Sequence, residues 1–387
     1  MSELGAVKPL VSVIIPAYNA EDYIAETLNS VISQTYKNIE VLVVDDGSKD
    51  NTPQIVHSFA QKDSRITLLQ QKNAGVAAAR NLGIEKSQGE YIAPVDADDI
   101  WYPKKLEKQV QCLLNSDNSV GLIYCWSVNI NKESEILHIR GQKYCNTCLV
   151  EGKVYLPLLY LNFVGNGSVP LIRRSCFEKV GGYNCQLREQ NAQGCEDWDL
   201  YLRIAQSYEF RLVPDFLMGY RQVTGSMGRN CLSMARSYEL VMAEVQSKLP
   251  TLPKKIYSWS GGYFYNYLVG QSCSGNDPIP TLFCIYRGIL FDWALMLRPG
   301  LYRLFLSCCF RLVVITLTGI NYTDAQQKIT SQSQITTLED IRTNIQAFLK
   351  PSWKPYDQII FQRWNQILEA NQTLSLAELD TFSATPM

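Results

Sequence analysis

Two short acid clusters hold the residues best suited to chemistry, Asp45-Asp46 and Asp96-Ala97-Asp98-Asp99, each directly after an apolar, β-like run. Carboxylates at the carboxyl ends of buried strands are where an open α/β sheet builds its ligand site. Several like charges that close together need a cation between them, or else one must take up a proton. The alternate acids Asp96 and Asp98 can project into one site, where hard oxygen donors suit Mg²⁺ or Mn²⁺ bridging two phosphates. The competing reading is an exposed acidic turn that caps the helix starting near Pro103. Three acids exceed what a cap needs, and Ile92-Ala93-Pro94-Val95 before them reads as buried. A further acidic group, Glu196-Asp197-Trp198-Asp199, opens a helix-like stretch, where acids complement the helix dipole. Opposite a metal-bound phosphorylated ligand, one of these carboxylates can instead act as a general base.

Smaller signals lie between the clusters. Ile15-Pro16-Ala17-Tyr18-Asn19 closes the first apolar run with a proline, which predicts that the chain leaves the sheet there and exposes backbone to a ligand. Asp45 or Asp46, at the second strand end, can accept a hydrogen bond from a base imide or a ribose hydroxyl. Asp50 to Thr52 read as helix capping. Asn73-Ala74-Gly75 followed by Ala79-Arg80-Asn81 places Arg80 on a helix whose start faces the same strand ends. Arg80 can clamp a phosphate or pair with the acids.

These groups need a frame to hold them. Val11–Ile15, Ile39–Val44, Ile66–Leu69, Tyr91–Val95 and Gly121–Val128 read as strands, being short, β-branched and bounded by turn residues. Between them lie helical patterns: Asp22–Gln34, a helix with Thr52 as cap and Pro53 at its first position, Ala74–Lys86 and Pro103–Leu114. Another helical stretch covers Asp197–Ser207. Strand and helix in alternation predict an α/β fold, with a Rossmann-like, mainly parallel sheet flanked by helices.

Length and composition bound the rest. With 387 residues and 46% hydrophobic content the chain can bury a full core, and its length suggests roughly two domains. Lys+Arg 36 against Asp+Glu 37 leaves a net charge of -1, so no basic field points to nucleic acid as a partner. Among twelve cysteines there is one C-x-x-C, Cys145 to Cys148, which is weak evidence for metal or redox chemistry. His57 and His138 fall in no motif and read as surface or structural residues. No apolar signal segment is visible before the first strand, and reduced cysteines in the cytoplasm are expected.

Beyond Met227 the composition shifts. Arg236–Gln246 and Lys254–Val269 are amphipathic, and Leu282–Ile320 is rich in Leu, Phe, Cys and Arg. Arg287, Asp292, Arg298, Arg303 and Arg311 interrupt that stretch, so no uncharged run reaches the ~20 residues of a membrane-spanning helix. A buried helical appendage and a membrane-surface helix with arginines at the headgroups are the two expectations. The second would place the protein at the inner face of the membrane. Thr323–Met387 reads as polar helices with a frayed tail.

Taken together, Val13-Ile14-Ile15-Pro16-Ala17-Tyr18-Asn19, Val44-Asp45-Asp46-Gly47-Ser48, Asn73-Ala74-Gly75 with Ala79-Arg80-Asn81, Asp96-Ala97-Asp98-Asp99, Val180-Gly181-Gly182-Tyr183 and Glu196-Asp197-Trp198-Asp199-Leu200 resemble family 2 glycosyltransferases of the A-type fold. Each motif alone is weak, and their shared order makes the set specific. The resemblance covers roughly residues 9 to 230, taken as a nucleotide-sugar-binding catalytic domain, with 231–387 as an α-helical C-terminal region. It implies an inverting, metal-dependent transfer of a sugar from a nucleoside-diphosphate donor, uridine being the favoured base, to an acceptor hydroxyl in glycan synthesis. Pro16, Tyr18 and Asp45 would line the nucleobase pocket, with Asp46 and Asn73 nearby and Arg80 and Glu196 close to the nucleotide. Asp96 would contact the ribose, Asp98 would ligate the divalent cation, and Asp197 would be the base. Asp99 would mainly hold the loop. Asn166-Gly167-Ser168 resembles the segment near donor sugar and acceptor, which assigns Ser168 to substrate. The family's Tyr-Arg-x-His pattern is broken here, because Tyr220-Arg221-Gln222-Val223 puts Val at the histidine's place. The cation would then be held by Asp98, the diphosphate and water, which Mg²⁺ tolerates.

Two other classes compete. A nucleotidyltransferase would be expected to carry a Gly-rich, basic phosphate loop after the first strand, and Pro16-Ala17-Tyr18-Asn19 has neither feature. A non-catalytic nucleotide-sugar-binding scaffold predicts loss of the base or the metal acid, and Asp197 and Asp98 are both present. The acceptor is expected to be a carbohydrate, a lipid-linked glycan or a protein.

Overall fold

The computed structural model describes residues 8–137, 149–223, 230–273, 278–318, 337–339 and 354–373. His138 and the Cys145 to Cys148 motif lie outside the described residues, as does most of the stretch from Thr323 onward.

Eight strands form one sheet: β1 (Val11–Ala17), β2 (Ile39–Asp45), β3 (Ile66–Gln70), β4 (Tyr91–Pro94), β5 (Ile100–Trp101), β6 (Val120–Ile130), β7 (Leu171–Arg173) and β8 (Glu209–Arg221), in the order β3-β2-β1-β4-β7-β6-β8-β5. The β3-β2-β1-β4 half is parallel throughout. Beyond it β7 runs antiparallel to β4 and β6, β8 is parallel to β6, and β5 closes the edge antiparallel to β8. The sheet is therefore mixed. Helices α1 (Ile24–Ile32), α2 (Thr52–Ala60), α3 (Val76–Lys86) and α4 (Lys105–Leu114) form the crossovers, followed by α5 (Tyr155–Tyr160), α6 (Arg174–Val180), α7 (Gln186–Glu189) and α8 (Glu196–Ala205). Val11, Val13, Ile14 and Ile15 of β1 have no exposed surface, as expected of a strand covered on both faces.

The predicted exit at Pro16 is corrected by the structure. Pro16 stays inside β1, opposite Val44, and the strand runs to Ala17. Ala17 accepts the Asp46 N–H on the β2 side, while Ile14 accepts the Val95 N–H on the β4 side. Pro16 therefore faces β4, whose pairing with β1 ends at Ile14 and Pro94, so its missing N–H removes no ladder bond. The β1 end also lies where the strand order reverses, since β2 leaves to one side and β4 to the other. Such a switch point opens a crevice outside the strand ends.

Thr52 likewise differs from expectation. It is the first helical residue of α2, and its hydroxyl accepts the Ala20 N–H at 2.8 Å, while Asp50 accepts the N–H groups of Thr52 and Glu21. The loop after β1 is thereby tied to the start of α2.

After the sheet come α9 (Cys231–Lys248), α10 (Lys254–Cys273), α11 (Pro278–Phe291), a 3-10 turn (Trp293–Leu297), α12 (Pro299–Thr318) and α13 (Pro355–Thr373). Close backbone packing joins them. A Cβ on Gly261 would lie 2.3 Å from Phe291, and one on Gly262 would lie 2.3 Å from Asp292. The buried Asp292 carboxylate is paired with Arg363 of α13. Helix α12 is long and apolar enough to cross a membrane by length and composition, with mean hydropathy 1.7 over Pro299–Leu317.

Candidate active site

The loop after β4 is held from three directions. Thr27, buried on α1, directs its hydroxyl at the carbonyls of Ala97 and Asp99, both at 2.8 Å. Ser168 donates to Asp99 Oδ2 at 2.5 Å and accepts the Asp96 N–H at 2.9 Å. From β8, the Arg221 N–H reaches Asp99 Oδ1 at 2.9 Å, and its guanidinium bonds to the Asp98 carbonyl, to the carbonyls of Asn131 and Lys132, and to Glu26. Asp99 is thus consumed in holding the loop, and burial, followed by Asp98 and Asp96, pushes its carboxyl well up. Ser168 is buried behind the cavity described below, its hydroxyl engaged by this loop.

Helix α8 sorts its three acids by partner. Asp199 pairs with Arg203 one turn on, at 2.7 Å. Glu196 is buried, accepting the Gly194 N–H at 2.9 Å and facing Arg80 at 3.2 Å. Asp197 accepts the N–H of the adjacent Trp198 at 2.6 Å. Burial and then Glu196 raise its carboxyl to about 8, against the opposing pull of Arg80.

Arg80 ties the two acid groups together. Its guanidinium is 2% exposed, donates to Asp96 at 2.6 Å and to Glu196 at 3.2 Å, and stands 5.1 Å from the Tyr183 ring centre. Of the two roles open to it, pairing with the acids is the one observed. Among the described residues, Arg80 Nε and the Tyr183 hydroxyl have no protein partner. Gly167 makes room for this group, since a Cβ there would lie 2.5 Å from Arg80 Nη2.

A cavity of about 810 Å³ opens beside these groups, within the range of small-molecule and cofactor sites. Pro16, Tyr18, Asp46 and Asn73 line one part of it, and Arg80, Asp96, Asp98, Glu196 and Asp197 another. Asp45 is not among the walls. Its carboxylate accepts the Ser48 N–H at 3.1 Å and Gln70 at 3.4 Å. Asp46 faces the cavity instead, although its carboxylate already accepts the N–H groups of Ala74 and Gly75 and the Gln71 amide. The sequence motif located the pair but not which member lines the cavity.

Several wall residues carried no motif. Arg188 of α7 lines the cavity, bonds to Asn73 and fills the space over Gly75, where a Cβ would lie 2.6 Å from its Cδ. Gly75 also has φ 92°, a conformation that glycine adopts without strain. From beyond residue 230, Met234, Tyr263, Phe264 and Tyr267 complete the wall, so α9 and α10 belong to the cavity. Val223 lines it too, at the histidine's place in the family pattern. His57 is exposed on α2, facing Gln61.

Whether the residues suit a divalent cation can be judged from the donors. Among the described residues, no three His, Cys, Asp or Glu side chains are grouped as a metal cage. Asp98 nevertheless lines the cavity with its carboxyl pushed up to about 6 by burial and by Asp96. A crowded carboxylate of this kind is relieved by a cation, and a hard ion takes its remaining ligands from phosphate and water.

The fold and this acid-lined crevice define a glycosyltransferase of the A-type, and the comparisons agree. The glycosyl transferase family 2 model matches residues 12–180. An uncharacterised glycosyltransferase of Rickettsia typhi is 32% identical over 243 residues, 62% of this chain and 73% of that protein. Glycosyltransferase GlyA of Streptococcus pneumoniae is 41% identical over 138 residues, 35% of this chain and 19% of that one. The crystal structure of S. aureus TarS shares the fold with a TM-score of 0.50 at 18% identity, over 79% of this chain and 52% of that chain. The chain belongs to glycosyl transferase family 2.

Proposed function

We propose that this enzyme transfers a sugar from a nucleoside-diphosphate donor, with uridine the expected base, to an acceptor hydroxyl with inversion at the anomeric carbon. The observation that carries the reading is the Arg80 bridge from Asp96 to Glu196, which holds Asp98 and Asp197, their neighbours, on the walls of one cavity.

The base and ribose occupy the part lined by Pro16, Tyr18, Asp46 and Asn73, with Asp96 at the ribose. Asp98 would hold a divalent cation, which when bound would supply charge stabilisation to the leaving diphosphate without a proton donor. Asp197 accepts the proton of the acceptor hydroxyl, whose oxygen forms the new bond to the anomeric carbon as the bond to the diphosphate breaks on the opposite face. A carboxylate raised toward neutrality is a stronger base than an ordinary one, which suits a weakly acidic hydroxyl. Glu196 and Arg80 position these groups, and Ser168 and Asp99 fix the loop that carries Asp98.

The catalytic part is taken to span residues 9–230, with α9 and α10 closing its cavity. A carbohydrate, a lipid-linked glycan or a protein would serve as acceptor. The nine described cysteines that are free fit a reducing compartment, the cytoplasm. Calorimetric titration of a panel of sugar nucleotides with Mn²⁺ tests the reading. Binding of one nucleotide class that needs the metal is expected, and no binding across the panel would overturn it.

A further inference from the structure

The described surface is unevenly apolar. Of the 18 large hydrophobic side chains that are exposed, 13 fall between Ile279 and Leu317. Leu290 projects from α11 and Trp293 from the 3-10 turn, while Tyr302, Leu306, Phe310 and Leu317 project from α12. At about 100° per residue, those four α12 positions share an arc of roughly 80°. Leu301 and Cys308 lie on the other side of the helix and are buried. Helix α12 is thus apolar on the side turned away from the protein, the reverse of a helix that only covers a core.

Its charges are equally lopsided. Across Pro278–Thr318 there are four arginines and one acid, Asp292, which is buried and paired with Arg363; Arg287 is paired with Glu239 of α9, which leaves Arg298, Arg303 and Arg311 to set the sign of the segment. Within a chain of net charge -1 this segment is locally cationic. Phe310 is 70% exposed and Leu317 79%, a contiguous apolar area that monomeric proteins rarely leave in water. Exposed Leu and Phe beside Trp, Tyr and Arg is the composition of an element lying in a bilayer interface, with aromatic and guanidinium groups at headgroup depth.

We infer that the outer face of α11, the 3-10 turn and α12 is a docking surface for an anionic lipid bilayer, with α12 lying in the plane of the interface and not spanning it. Its inner side packs on α11 and the 3-10 turn, and Arg303 and Arg311 interrupt its length, so lipid does not surround it. Because Gly261 and Gly262 bring α10 into close contact with Phe291 and Asp292, the same helix that presents Tyr263 and Tyr267 to the cavity is fixed to the docking face. Membrane contact would hold the active site next to a lipid-borne acceptor. The inference stands on the exposed face alone and is independent of the proposed transfer.

Flotation of the full chain tests it, using vesicles of phosphatidylcholine alone and of phosphatidylcholine with phosphatidylglycerol. Partition onto the anionic vesicles is expected to be about tenfold stronger, weakening with added salt. Leu306→Glu combined with Phe310→Glu should abolish it while leaving the melting temperature and nucleotide binding unchanged. No flotation with either vesicle, or flotation of the double variant equal to the parent, would overturn the inference. So would protein released only by detergent, which indicates a spanning helix. Association into dimers lost in the double variant, with no lipid binding, would assign the face to a second copy instead.

Discussion

Arg80 and Glu196, separated by 116 positions in sequence, meet at 3.2 Å in the interior, and the same guanidinium reaches Asp96 at 2.6 Å. Neither acid of this bridge is assigned the chemistry. The bridge sets the spacing between Asp98, on the loop after β4, and Asp197, on α8.

Arg80→Met should therefore leave the buried Glu196 and the half-buried Asp96 without their cation. Breaking a buried pair from one side costs about 3–5 kcal/mol. Urea denaturation of the variant should show a loss of that order, and nucleotide binding should weaken with it. A loss within about 0.5 kcal/mol, as for an ordinary surface substitution, would show that the bridge does not organise the site.

Gly167→Ala probes the same group by volume. Its Cβ would lie 2.5 Å from Arg80 Nη2, so the guanidinium or the loop must move. Overpacking of this kind costs about 1–3 kcal/mol. The variant should be destabilised and show weakened turnover, and a parent-like melting curve with full activity would contradict the tight packing.

As the proposed base, Asp197 should make the rate depend on pH. As a base it must be ionised, and with its carboxyl at about 8 the turnover rate should climb as pH rises through that value. Asp197→Asn should lower the rate by about 10²–10⁴-fold and flatten this limb. The stability effect has the opposite sign. The folded chain holds the proton more tightly than the unfolded one, so this contribution is full below the unfolded pKa of about 4 and lost as pH rises through about 8. A rate already constant below pH 6 would contradict the assignment.

Arg188 is the cavity-lining cation with no carboxylate partner among the described residues, whereas Arg80 and Arg221 are both paired with acids. A diphosphate offers the anion it lacks. Arg188→Gln should raise the donor KM about tenfold or more, the scale of one charged hydrogen bond, with kcat nearly unchanged. An unaltered KM would remove Arg188 from the donor site.

The strands β1 to β4 and β6 were legible because each is a short apolar run bounded by turn residues, and their observed ends lie close to the expected ones. β8 was not, because Pro214 interrupts it. The structure places Pro214 and Asp215 in a bulge opposite Cys125 and Trp126, where a missing N–H does no harm. β5 and β7, of two and three residues, leave no period to detect. In the cavity, the positions of Asp98 and Asp197 followed from motifs. Which of Asp45 and Asp46 faces inward did not, because adjacent strand residues point to opposite sides and a motif of two acids fits either choice. Ser168 and Tyr263 show what motifs leave out. A serine's partner is a three-dimensional fact, and an aromatic on a helix remote in sequence carries no signature of the wall it joins.

The central claim is that one acid serves the leaving group and another the nucleophile. Release of nucleoside diphosphate from the bound donor, followed with Mn²⁺ and with chelator for the parent, Asp98→Asn and Asp197→Asn, tests it most directly. The account predicts release only with metal, its loss in both variants, and metal-dependent nucleotide affinity kept by Asp197→Asn but not by Asp98→Asn. Metal-independent release, or turnover by Asp197→Asn at the parental rate, would contradict it.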